Sequence, residues 1–479
     1  MMYRFLPLLV LLLPAPFALG QESADEPATF TPEQIRADFG FLYEGLQSAN
    51  YDLYAFTPRS EFDARYREFR AGFVEPMTRF EAEMAFQRFA ALARQSHTRI
   101  ESDYSGYFAY RAGGGAGFPL EIAVAQGRLT VTGNSSGVAE IRPGDRITAI
   151  NGRGVTDLLP RLAAHISAET GRFAHVLLER YLPLVIWLEL GPAEAYAVSI
   201  DHAGGGSGTY ELSPLEDREP DAGKKDEPFS LQGREARMLT ETVAYLRPGP
   251  FYNTDPEGNS LDATSFLEST DAAFRRFIEN GSEQLILDLR DNPGGDNSFS
   301  DPVIAWFADR PFRFSSDFRI RISPESTAAN EARLASHPDG SNSISQLYAE
   351  LYASAANGKT VSFPIPEVEP RPAARYEGQV FVLVNRYSFS NAVSAAALIQ
   401  DYGFGVIMGE TTVDMATTYG AMERFTLPET GIVVTYPKAL IVRPNGDDSV
   451  HPVRPEVQLP SPRIRGPSDV MLEAALEHI

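Results

Sequence analysis

The stretch Glu283–Asn297, EQLILDLRDNPGGDN, decides how the rest of the chain is read. Its first half is a short apolar run, the composition of a strand covered on both faces. Its second half is a loop in which two glycines follow a proline. Such glycines let backbone come close to a ligand and leave N–H groups able to face an anion. No Gly-Lys-Ser/Thr follows, so this is not a phosphate-binding loop. Taken alone, it is equally well a tight strand-to-helix turn.

Working outward, VAYLRP reads as a strand and TSFLESTDAAFRRFIENG as a helix that ends at Gly281. After the glycine loop come a helix, a long insertion, the strand QVFVLVN, the stretch NRYSFSNAVSAAALIQDYG and the strand GVIMGE. Helices alternating with apolar strands predict an α/β core with a largely parallel sheet over residues 231–465, followed by a C-terminal helix in 466–479.

Upstream the pattern changes. Residues 21–104 read as a helical domain. TPEQ (Thr31–Gln34) and TRFE (Thr78–Glu81) are two capping boxes, each opening an apolar-periodic segment. The second segment runs into RQSHTRI, with His97 at its exit. Residues 105–202 read as short strands with turn signals: GAGFPLEIAV, then IRPGDRITAINGRGV with its Pro-Gly-Asp and Asn-Gly turns, then a helix over Thr156–Ile166. Residues 203–230, Gly-rich and then charged, predict a flexible acidic connection.

The first twenty residues predict a secretory signal peptide: Arg4, an apolar run interrupted by prolines, and small residues up to Gly20. The expected mature chain has 459 residues (479 − 20), and loss of Arg4 takes the formal charge from −22 to −23. So acidic a chain disfavours nucleic acid and anionic lipid as partners. There is no cysteine, which excludes disulfides, a lipoprotein anchor and cysteine-ligated metals. No metal or cofactor is expected, and no segment after the leader is long and apolar enough to insert in a bilayer.

Chemistry concentrates where two loops leave neighbouring core strands. In NRYSFSNAV a serine between a strand and an apolar helix is well placed as an N-cap. The same place suits a nucleophile, because the helix dipole and free N–H groups stabilise charge on an attacked carbonyl.

LILDLRDNPGG followed about ninety residues later by VFVLVNRYSFSNAVSAAALIQDYGFGVIMGET resembles the tail-specific, or C-terminal processing, serine peptidases. The resemblance implies a multidomain α/β protein with an N-terminal helical domain, a PDZ-like β-domain and a ClpP/crotonase-like α/β core. It puts the nucleophile on Ser390, with Ser388 and Ser394 as neighbours. It puts the oxyanion donors on the backbone N–H of Asn391 and of Gly294 or Gly295. The PDZ-like loop at Gly117 and Phe118 is then expected to bind peptide C-termini.

One departure bears on mechanism. The processing branch carries a lysine base, and the matching position here is Met415. Four lysines occur in all: Lys224 and Lys225 in the acidic connection, Lys359 in a loop, and Lys438 at the wrong spacing. The chain is therefore more similar to the tricorn core peptidase branch, which implies a Ser-His pair supplied here by Ser96 and His97. Counting back from HPVRPE gives Asp448 as the acidic member, with Glu410 structural. A neutral imidazole is a competent base near neutral pH. The bland alternative for His97 is a cation at a helix C-terminus.

The expectation is an exported, periplasmic or extracellular serine endopeptidase acting on unfolded or C-terminally exposed polypeptide. The rival is an inactive peptide-binding protein. Crotonase-type chemistry on an acyl thioester is disfavoured by export, because coenzyme A is intracellular.

Overall fold

The computed structural model describes residues 28–213 (apart from 103 and 116), 233–255, 258–336, 342–464, 466 and 468–479. The expected signal peptide, most of the acidic connection and its two lysines lie outside the described residues.

The apolar run does become a strand, Gln284–Asp288, in the middle of a six-stranded sheet. It pairs in parallel with Val243–Arg247 on one side and Gln379–Val384 on the other. Val406–Gly409 and Val457–Gln458 continue the parallel order, and Glu235–Met238 closes the far edge antiparallel. Leu285, Ile286 and Leu287 are fully buried because helices cover both faces. Thr264–Glu279, Asn297–Ala305 and Asn391–Tyr402 pack one side through Phe274, Phe277, Trp306 and Leu398, and the Val470–His478 helix packs the other. The largely parallel core is as expected.

The long insertion supplies Asp317–Arg321 and Thr360–Ser362 to a second, antiparallel sheet, to which Thr418–Thr426 and Val433–Val442 are added from beyond Val406–Gly409. Its fifth strand, Arg99–Glu101, comes from the N-terminal region and pairs with Val433–Thr435. Both capping boxes form, opening the helices Pro32–Ala49 and Arg79–Ala90. Phe39, Phe62, Phe86 and Phe89 of the N-terminal helices share one apolar core with Ile432, Val434 and Tyr436 of the second sheet. The segment carrying His97 is thereby welded to the core by a strand and by packing.

Between them lies a β-unit with strands Leu120–Ala125, Arg128–Asn134, Arg146–Ile150, Tyr196–Asp201 and Ser207–Leu212. The Asn-Gly turn forms with positive φ at both Asn151 (46°) and Gly152 (74°), as a two-residue hairpin turn needs. Two expectations change here. The sheet runs to Leu212, past the predicted boundary at 202, because Ser207–Leu212 pairs along the whole of Tyr196–Asp201. A twenty-residue helix, Gly171–Leu190, stands where short strands were expected. Thr170 caps it, and a bend at Tyr181 accommodates the internal Pro183. The helix expected over Thr156–Ile166 forms as Val155–Ala163.

Among the described residues no helix is long and apolar enough to cross a membrane.

Candidate active site

Ser390 precedes the Asn391–Tyr402 helix but does not cap it: its hydroxyl bonds to no helix N–H, and its backbone stands at φ 51°, ψ −123°. A non-glycine residue held there stores roughly 1–3 kcal/mol of strain. Its backbone N–H donates to the Asp414 carboxylate, which also accepts from the Met415 N–H at 2.8 Å. Ser390 Oγ is buried with no hydrogen-bond partner among the described residues. A hydroxyl so placed neither caps nor braces anything.

Its neighbours behave differently. Ser388 Oγ donates to the Leu289 carbonyl at 2.8 Å and accepts from the Asn385 N–H at 3.1 Å, tying this turn to the end of the central strand. Ser394 is a half-buried residue one turn into the helix.

The glycine loop presses directly on Ser390. A Cβ on Gly294 would come within 2.6 Å of the Phe389 carbonyl oxygen, 2.7 Å of the Asn391 nitrogen and 2.8 Å of Ser390 Cβ. Gly294 also sits at φ 86°, so glycine is needed on both counts. The Gly294 N–H is taken by Asn292 Oδ1 at 2.8 Å. Of the two glycines offered by the sequence, Gly295 therefore keeps its N–H uncommitted among the described residues, as does Asn391 at the first turn of its helix. Gly294 serves as the close-approach residue and is corrected as a donor.

His97 lies in the tight Gln95–Thr98 turn, closed by the Thr98 N–H donating to the Gln95 carbonyl at 2.9 Å. The left-handed Arg94 (φ 52°) ends the preceding helical segment, and the strand Arg99–Glu101 begins directly after the turn. The imidazole is buried, 6.3 Å ring to ring from Phe389, the residue before Ser390. Its Nδ1 lies 3.4 Å from Ser96 Oγ, and its Nε2 has no partner among the described residues. Burial, aided by the Arg99 charge, lowers its pKa to about 4 against an opposing pull from the Tyr419 backbone. The ring is thus neutral at neutral pH, as a base must be, and it is not the helix-end cation of the bland reading.

Asp448 is not at this site. It is exposed and pairs with Arg319 at 3.2 Å. The carboxylate bonded to Ser96 is Glu169, from the loop before the Gly171–Leu190 helix: its Oε1 accepts from Ser96 N–H at 3.0 Å and Ser96 Oγ at 3.1 Å. Sequence reasoning missed Glu169; in SAETGR it reads as an unremarkable helix entrance. Glu410 is structural as expected, held by Arg386 and Arg172, each at 2.8 Å.

Neither described lysine can replace His97. Lys438 is buried against Glu423 at 3.1 Å and over the Tyr348 ring at 3.7 Å, while Lys359 is exposed. Met415 is buried at the position where a lysine base was sought. Gly117 and Phe118 belong to the β-unit: Phe118 packs edge-on to Tyr196 in that unit's core.

The order of these parts finds its counterpart in a family model. Residues 259–459, which carry both loops, match the model of Peptidase family S41. Over that stretch the chain is similar to the S41 peptidases. The match supports a serine-type peptidase. No curated protein matches the sequence. Among solved structures, mature CPAF complexed with lactacystin superimposes with a TM-score of 0.64 at 16% identity, over 93% of this chain and 97% of that one. Mature CPAF alone gives 0.60 at 16% identity, over 90% and 93%. The photosystem II D1 C-terminal processing protease gives 0.47 at 19% identity, over 89% and 93%. At such identity the likeness to CPAF concerns the fold, and it extends over the N-terminal helices and the β-unit as well as the S41 core.

Proposed function

We propose that this protein is an exported S41 endopeptidase of the lysine-free branch, cleaving unfolded or C-terminally exposed polypeptides through Ser390 and His97. The reading is carried by one observation: Ser390 Oγ and His97 Nε2 are both buried beside Phe389 and both left without a protein partner among the described residues. A buried polar atom without a partner calls for an explanation, and a catalytic role is one.

In the proposed reaction Ser390 Oγ attacks the scissile carbonyl carbon and its proton passes to His97 Nε2. The oxyanion is held by the N–H groups of Gly295 and Asn391 at the positive end of a helix. The C–N bond then breaks, the leaving amine takes the proton from His97, and water hydrolyses the acyl-enzyme by the same proton path in reverse. The β-unit, PDZ-like in its turn order, would hold the peptide end near Gly117 and Phe118. Export rests on the apolar leader read in the sequence.

The test is reaction with a fluorophosphonate and location of the adduct by mass spectrometry. An adduct on Ser390, absent in Ser390→Ala together with peptide hydrolysis, is the expected result. Hydrolysis retained by purified Ser390→Ala would overturn the assignment.

A further inference from the structure

The pair formed by Ser96 and His97 needs an acid, and the geometry points to one outside the S41 core. Three buried or candidate carboxylates compete for the role. Asp448 is exposed and engaged by Arg319. Asp414 spends its two oxygens on the backbone N–H groups of Ser390 and Met415. Glu169 is buried, touches Ser96 through Oε1, and keeps Oε2 free of any partner among the described residues.

The loop that brings Glu169 in is fastened to the histidine turn. Ser167 Oγ donates to the Gln95 carbonyl at 2.6 Å, Gln87 Nε2 to the His165 carbonyl at 3.0 Å, and Arg94 to the Glu169 carbonyl at 3.2 Å. These bonds fasten the His165–Glu169 segment to the residues that lead into Ser96, so Glu169 reaches it from a preset position. A chain of donors then follows: His97 Nδ1–H to Ser96 Oγ, and Ser96 Oγ–H to Glu169 Oε1.

Resting on the Ser390–His97 reading above, we propose that Glu169 is the positioning carboxylate of this enzyme. Acting through Ser96, it holds His97 in the tautomer whose Nε2 lone pair can take the Ser390 proton. It touches neither substrate nor the reacting atoms. A neutral base on Nε2 requires the proton on Nδ1, and an anionic acceptor at the end of the chain favours that arrangement and the imidazolium formed during attack.

The groups around Glu169 set when it is anionic. Asp414 and burial oppose its charge, Ser96 N–H and Oγ–H favour it, and Tyr419, Arg94, His97 and Arg99 complete the titratable and charged surroundings. The balance raises its pKa to about 8. Ionised Glu169 is therefore the high-pH form, and its neutral isostere should matter most there.

The experiment uses the full chain and the variants Glu169→Gln and Glu169→Ala, with folding checked by circular dichroism. The rate of fluorophosphonate labelling of Ser390 is followed from about pH 6 to about pH 9. The ratio of wild-type to Glu169→Gln rate is expected to grow with pH, reaching ~10-fold or more above about pH 8 and narrowing at the acid end, where wild-type Glu169 is itself protonated. A ratio that stays constant across the range means that Glu169 only packs, and overturns the proposal. A second readout needs no activity. The ¹⁵N imidazole shifts of His97, assigned by their loss in His97→Gln, should report the Nδ1–H tautomer in wild type and a mixture in both variants. An unchanged tautomer also overturns the proposal. A wild-type protein that never labels at Ser390 but shows the tautomer change would sink the peptidase mechanism and leave the positioning role of Glu169 standing.

Discussion

The backbone N–H of Ser390 donates to the side-chain carboxylate of Asp414, the residue before Met415. This bond holds Ser390 in its positive-φ conformation from the loop after Val406–Gly409, not from its own helix. Asp414→Ala removes the acceptor and leaves a buried N–H unpaired at a strained residue, a loss of about 1–3 kcal/mol. The expected outcome is a fall of ~10-fold or more in Ser390 labelling together with a lower Tm. Asp414→Asn keeps one acceptor oxygen but sets an amide NH2 against the other backbone N–H, so it should recover only part of both. Equal damage from the two variants would show that one retained acceptor does not suffice to hold Ser390.

The serines should separate cleanly. Ser390→Ala should abolish hydrolysis with Tm little changed, because its hydroxyl bonds to nothing among the described residues. Ser388→Ala removes a hydroxyl that bridges Leu289 and Asn385, so it should cost about 1–3 kcal/mol of stability while leaving the nucleophile chemically intact. Denaturant unfolding and active-site titration, run on both variants, measure the two effects separately.

The parallel sheet, both capping boxes and the placing of Ser390 between strand and helix were legible because each depends on local pattern: apolar runs, a Thr-x-x-Glu/Gln spacing, a serine after a strand and before a helix. What was not legible depends on who meets whom. Glu169 precedes a helix and differs in no local respect from a surface acid; only the docking of its loop on Gln95 and Arg94 gives it a role. Asp448 was chosen by counting along a loop, and that loop closes on itself through Asp447 and His451 at 2.8 Å, turning Asp448 outward. The Gly171–Leu190 helix was missed because Pro183 and its mixed apolar pattern hid the period. The lowered pKa of His97 was not legible either, since complete burial is a property of the assembled site.

That burial alters the expected pH profile. A base with pKa near 4 stays deprotonated down to mildly acid pH, so His97 itself should impose no fall in rate near pH 6–7. His97→Ala should nevertheless cost at least ~10³-fold in kcat, as removal of a general base does in hydroxyl-nucleophile enzymes. Lys438→Met should instead act on stability, since it breaks a buried ion pair with Glu423 that Arg333 only partly replaces. A Lys438→Met protein that is folded but inert, beside an active His97→Ala, would mean that a Ser–Lys mechanism operates.

The nucleophile is only 5% exposed, and what covers that region is identifiable. Phe173, in the first turn of the Gly171–Leu190 helix, packs on Phe389 at 5.6 Å and clusters with Val176 and Val413, while Arg172 pairs with Glu410. Loosening this contact is expected to ease access of a polypeptide to Ser390. Phe173→Ala, which deletes the ring, should therefore raise the labelling rate by a bulky fluorophosphonate several-fold while lowering Tm. A small probe should gain less than the bulky one; equal gains would indicate a chemical effect on Ser390 in place of access.

Stability should fall with rising pH across a window that most acidic proteins tolerate. Three buried carboxyls have raised pKa values: Asp301 to about 7, Glu169 to about 8 and Asp414 to about 6, with desolvation the largest cause in each. A group whose folded pKa lies above its unfolded value contributes stability fully below the unfolded pKa, near 4 for carboxyls, and loses it as pH rises through the folded pKa. The loss should therefore run from about pH 4 to about pH 8. Asp301 isolates the effect, because it lies in the Asn297–Ala305 helix and is not among the groups assigned to catalysis. Its Oδ2 accepts from Asn297 at 2.8 Å, and its Oδ1 has no partner among the described residues. Asp301→Asn keeps an oxygen for Asn297 and removes the charge. Relative to wild type it should gain stability as pH rises, by on the order of a few kcal/mol at about pH 8, with little difference near pH 4. Denaturant melts at the two ends of the window measure this directly, and a gain that is the same at both ends would show that Asp301 is not the titrating group.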